Sequence, residues 1–132
     1  MSNLHEECGI FGIFSENRQN VAETVYYGLF ALQHRGQESC GIVVNDDGIF
    51  RNYKDNGLAH EVFTRHVLED LGPGNMAIGH DRYSTTGANE RINAQPIVVN
   101  HHKGRMALAH NGNIVNAFEL RQELELQGSI FH

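Results

Sequence analysis

The 132-residue chain has only two cysteines, Cys8 and Cys40, carries 10 basic against 16 acidic residues, and contains no apolar run of membrane-spanning length. Each shortage removes a class of protein. Two cysteines without a secretory signal are best read as reduced thiols, which excludes a disulfide-stapled secreted scaffold. A net charge of −6 argues against whole-chain attraction to nucleic acid phosphates or to an anionic membrane. With neither a signal-peptide core nor a membrane-length stretch, the expected location is the cytoplasm. No internal repeat, low-complexity tract or linker divides the chain. Its 40% apolar and 20% charged composition is globular, and its length suits one domain with a real core.

Nine histidines invite a metal hypothesis, and their spacing argues against it. His60 and His66, six apart on an expected helix, face different directions, while His101 and His102 are adjacent in a turn. No cysteine pair has zinc-ribbon spacing.

The chain is organised around Cys8-Gly9-Ile10-Phe11-Gly12-Ile13-Phe14, too short and too glycine-broken for a helix, which predicts a buried strand with the thiol at its leading end. Residues 1–7 are polar and acidic and read as a removable segment. Their removal would give Cys8 a free α-amino group, whose pKa of about 8 suits a general base for its own thiol. The plain alternative is a structural cysteine in a core strand.

Along the rest of the chain, 15–19 is expected to be a polar connection, and Asn20 with Glu23 to open a helix marked by Val21, Val25, Leu29 and Leu32 that stops near Gly36. Residues 40–44 read as a second buried strand, and Asn45-Asp46-Asp47-Gly48 as a hairpin turn into a strand over 49–54. One helix is expected over 58–71, ended by Gly72-Pro73-Gly74. A third apolar run, 76–80, precedes a long polar segment, 81–95, that has no periodicity; such loops are usually functional or disordered. Strands over 96–99 and 105–109 flank a turn. A helix capped by Asn116 and Glu119 follows, then a fresh β-like run at 129–132, where the sequence stops as if in mid-fold.

A cysteine nucleophile attacking a carbonyl needs a base, donors for the developing oxyanion and a substrate clamp. Cys8 is the candidate nucleophile, and its own freed amine the candidate base. Asn111 and Gly112 are candidate oxyanion donors, through a side-chain amide and a freely aimed backbone N–H. Arg82, placed in the long loop, can hold a carboxylate bidentately. The structural alternatives are a hairpin turn for Asn111-Gly112, solvated charge for Arg82, helix-end complementation for Arg35, hydrogen-bonded structural roles for His80 and His110, and loop polarity for residues 83–86.

Four stretches in order, Cys8 to Gly12, LQHRGQES at 32–39, GHDRYSTTG at 79–87 and AHNGNI at 109–114, resemble the glutaminase domain of the amidophosphoribosyltransferases. These are class II glutamine amidotransferases of the N-terminal nucleophile type. The resemblance implies an α+β fold, a four-layer αββα sandwich incomplete here at its C-terminus, with residues 1–7 as a propeptide and 8–132 as the N-terminal part of the domain. It implies that Cys8 is the nucleophile, that Asn111 and Gly112 form the oxyanion hole, and that Arg82 holds the glutamine α-carboxylate, with Arg35, Tyr83 and Thr85 lining the site. The partners implied are glutamine, a phosphoribosyltransferase domain and further copies of the intact chain. No cofactor is expected in this segment; magnesium and, in some members, an iron–sulfur cluster belong to the part that follows. Rival expectations are another class II amidotransferase with a different ammonia acceptor and a non-catalytic glutamine-binding or interaction module. Asp81 departs from the expected Thr or Val, and its carboxylate would either compete with the substrate at Arg82 or point away. Cys40 replaces a usual alanine.

Overall fold

A computed structural model of the chain describes residues 8–33, 39–82, 94–110 and 130–131. Strand β1 (Cys8–Gln19) is followed by helix α1 (Val21–Leu32), strands β2 (Ser39–Asp46) and β3 (Ile49–Asn56), short helices α2 (Ala59–Val62) and α3 (Arg65–Leu71), and strand β4 (Gly74–Arg82). Strands β5 (Ile97–His101), β6 (Gly104–Leu108) and β7 (Ile130–Phe131) complete the described elements. They form two antiparallel sheets, one in the order β1-β4-β2-β3 and one in the order β6-β5-β7.

The four-residue spacing of Val21, Val25 and Leu29 puts all three on one face of α1, and all three are fully buried against the first sheet. Burial of each contributes roughly 1.5–3 kcal/mol. The helix lies close to the strands because glycines face it. A Cβ on Gly79 of β4 would come within 2.8 Å of the Leu29 Cδ1 atom, and one on Gly28 of α1 would enter the Phe11 ring of β1. Ile42, Val44, Ala77 and Cys40 fill the same layer from the sheet side. The two cysteines are both free thiols.

Four expectations need correction. Residues 15–19 are not a polar connection: β1 continues to Gln19 through an irregular register after Phe14, and Arg18 fastens this extension to the end of β2 by a bidentate pair with Asp46 at 2.9 and 3.0 Å. The single helix over 58–71 is two, because Thr64 interrupts it and caps α3, its Oγ1 accepting from the Val67 N–H at 3.3 Å. His60 and His66 thus sit on different helices. Strand β4 runs two residues beyond His80, so Asp81 and Arg82 belong to the sheet and not to the loop after it. The hairpin turn forms as expected, with Asp47 and Gly48 both at positive φ (50° and 90°). Helix α1 ends at Leu32, with Gln33 already extended, short of the stop expected near Gly36; the helix expected after Asn116 lies outside the described residues.

The second sheet meets the first on the face opposite α1. A Cβ on Gly41 of β2 would strike the main-chain oxygen of Gln95, just ahead of β5, and Lys54 of β3 donates to the Pro96 carbonyl at 3.5 Å. Helices, the first sheet and the second sheet are therefore stacked in that order.

Candidate functional site

Antiparallel pairing sets which side chains share a face. Arg82 is opposite Cys8 on one side and Ser39 on the other, and Ser39 is opposite Asn56. These four residues form one rung across the four strands. The next rung on the same face holds Ile10, His80, Gly41 and Lys54, and this face meets the second sheet. Directly opposed residues of an antiparallel pair have Cβ atoms roughly 4.5–5.5 Å apart, so the thiol and guanidinium stems start as neighbours. Cys8 is half-buried, as a nucleophile reached by a small substrate must be, while Ser39 is buried.

The rung between these two points the other way. Gly9, Asp81 and Cys40 face α1, where a Cβ on Gly9 would touch Leu32. Asp81 is fully buried, and neither carboxylate oxygen has a hydrogen-bond partner among the described residues. Burial pushes its carboxyl up to about 7, because an ionised form would have to leave water with nothing to replace it. Cys40, beside it, directs its thiol to the Gly57 carbonyl at 3.6 Å. Asp81 therefore points away from Arg82, and a substrate carboxylate held by Arg82 meets no competitor there.

A partly buried contact brings the end of β6 to the Cys8 face. The His80 Nε2 donates to the His110 carbonyl at 3.0 Å; the carbonyl can only accept, so that ring nitrogen carries the proton. The His110 N–H donates to the Gln95 Oε1 at 2.8 Å. His80 thus has the hydrogen-bonded role expected of it, whereas His110 takes part through its main chain.

Of the candidate site residues, the structure brings Cys8 and Arg82 together and places Arg82 on a strand. Arg35, Tyr83, Thr85, Asn111 and Gly112 lie outside the described residues. Sequence reasoning did not single out Ser39 or Gln95. Ser39 could have been found by extending β2 one residue and counting alternation; Gln95 has no local signal, since its partner is 15 residues away.

No profile of a known protein family matches the chain. The chain is 54% identical over 124 residues to the amidophosphoribosyltransferase of Methanocaldococcus jannaschii, covering 94% of this chain and 26% of that protein. Among solved structures it superposes with a TM-score of 0.76 and 46% identity on an allosteric regulatory enzyme of purine biosynthesis, over 93% of this chain and 26% of the other. A Bacillus subtilis glutamine phosphoribosylpyrophosphate amidotransferase complexed with ADP and GMP gives a TM-score of 0.72 at 45% identity, with the same coverage. The chain thus spans about a quarter of the length of the curated relatives it matches. At this identity and TM-score the α+β sandwich of the N-terminal nucleophile type is the fold of this chain.

Proposed function

This chain belongs to the amidophosphoribosyltransferase family, corresponding to its N-terminal region, and we propose that it is the glutaminase end of such an enzyme, releasing ammonia from glutamine through a thioester on Cys8. The observation that carries this is the Cys8–Arg82 rung: a half-buried thiol at the start of a strand, directly opposite an arginine on the face that meets the second sheet.

Residues 1–7 act as a propeptide whose loss frees the Cys8 amine. That amine takes the thiol proton as Sγ bonds to the side-chain carbonyl carbon of glutamine. Arg82 holds the α-carboxylate, and Asn111 with the Gly112 N–H stabilises the oxyanion. Collapse breaks the carbon–nitrogen bond, and the amine returns the proton to the departing ammonia. Water then cleaves the thioester, giving glutamate and restoring the thiol. Arg35, Tyr83 and Thr85 line the same site. In the complete enzyme the ammonia converts phosphoribosyl pyrophosphate to phosphoribosylamine, a step of purine synthesis, in a phosphoribosyltransferase domain that also carries any magnesium or iron–sulfur requirement; the complete enzyme is a cytoplasmic homo-oligomer.

The test is an intact-mass measurement with identification of the N-terminal residue, followed by a glutaminase assay on protein beginning at Cys8. Equal release of glutamate and ammonia is the expected result. Protein with an unmasked Cys8 that binds glutamine without turning it over would overturn the catalytic assignment in favour of a binding module.

A further inference from the structure

Resting on the glutaminase assignment, we infer that His80 and Gln95 are positioning residues for the reaction, clamping the main chain of His110 against the face that carries Cys8 and Arg82. Four residues close a ring. The fully buried His80 donates to the His110 carbonyl, and the His110 N–H donates to the Gln95 side chain. The Gln95 main chain rests on Gly41 so tightly that no Cβ fits between them, and Gly41 is the cross-strand partner of His80.

The ring is directional in a way that simple packing does not require. His110 follows the end of β6, where among the described residues its N–H and carbonyl have no ladder partners, and two side chains from separate parts of the fold take up both groups. His80 is two residues before Arg82 on the same strand and face, so the ring stands one rung from the thiol. His110 is joined by one peptide bond to Asn111, the residue assigned to the oxyanion hole. Oxyanion donors work by being fixed before charge develops, and a shift of about 1 Å in such a group costs roughly 100-fold in rate. The clamp therefore acts on turnover and not on glutamine affinity, which Arg82 supplies.

The test uses the intact, processed enzyme and the variants His80→Leu, His80→Gln, Gln95→Met and Gln95→Glu. In His80→Leu and Gln95→Met the glutamine-dependent kcat should fall about 30- to 100-fold, with KM for glutamine changed less than about threefold. Alkylation of Cys8 by iodoacetamide should keep its rate within about twofold, because displacement at a saturated carbon forms no oxyanion. His80→Gln, which can present an N–H near the same place, should recover about tenfold of the loss, and Gln95→Glu, which keeps an acceptor, should do better than Gln95→Met. The double variant should fall little further than the worse single one, since both act on one peptide. The inference is overturned if wild type turns over glutamine and both apolar variants keep kcat within about threefold, or if alkylation falls in parallel with kcat. Should His80→Leu fail to fold, the Gln95 pair decides alone. A wild type that lacks glutaminase activity with Cys8 unmasked overturns the functional assignment itself, and this inference with it.

Discussion

Asp81 and Arg82 are consecutive on β4 and leave it on opposite faces, the carboxyl toward α1 and the guanidinium toward the second sheet. One residue serves the interior and its neighbour the proposed site, and two predictions separate them.

Asp81 should make the protein less stable as pH rises. Its native carboxyl titrates near 7 against about 4 when unfolded, so between those values the native state binds the proton more tightly. Stability from the neutral acid is complete below pH 4 and is lost progressively up to pH 7. Urea unfolding of Asp81→Asn against wild type should show little difference below about pH 4 and a difference that grows steadily above it. By pH 8 the variant should be more stable by up to about 4 kcal/mol, the equivalent of a three-unit shift. A difference that does not grow with pH would mean that Asp81 finds a partner.

Arg82→Ala should raise the apparent KM for glutamine tenfold or more, with a smaller effect on kcat, and Arg82→Lys should recover only part of it because a bidentate grip is lost. Cys8→Ala should abolish glutamine-dependent synthesis while leaving ammonia-dependent synthesis in the intact enzyme. Loss of both in a folded protein would contradict the division of labour between the two halves.

Gly28→Ala should destabilise the fold by about 1–3 kcal/mol, because its new methyl group would enter the Phe11 ring that joins α1 to β1. Phe11→Leu in the same chain should return part of the loss in a thermal or urea melt, since the two changes share one contact.

The core face of α1 was legible because Val21, Val25 and Leu29 repeat with the helix period. The β2–β3 turn was legible because Asp47-Gly48 tolerates two positive φ angles. What escaped was set by distant partners. Nothing in 15–19 predicts a strand until Asp46 offers Arg18 a carboxylate 28 residues away. Asp81 and Arg82 read as loop because a buried acid next to a charged residue breaks the apolar run that marked β4, although the ladders to β1 and β2 extend through both. Of the site, Cys8 and Arg82 could be named from the sequence, but their pairing required the register. Gln95 could not be named at all.

Asp46 should carry an acid-sensitive part of the stability. It accepts from Arg18 and from Arg51, and these two hydrogen bonds, in that order, hold its carboxyl down at about 2. Arg51 also donates to the Leu71 and Pro73 carbonyls, so the carboxylate ties β1, β2 and β3 to the end of α3. The contribution is complete above about pH 4 and disappears as pH falls toward 2. Asp46→Asn should melt several degrees below wild type at pH 7, and the gap should close across that acid range. A gap independent of pH would show that the charge is not what matters.

Among the described residues β1 pairs only with β4, whereas β4 is paired on both sides. Cys8 and Arg82, the proposed nucleophile and clamp, therefore belong to strands that should loosen at different rates. Deuterium should enter the amides of β1 well before those of β4, and the two strands should separate along the Cys8–Arg82 rung while the β4–β2 ladder is still closed. Inactivation on warming would then begin as a brief, reversible parting of thiol from arginine, at temperatures where the bulk of the protein still gives a native signal.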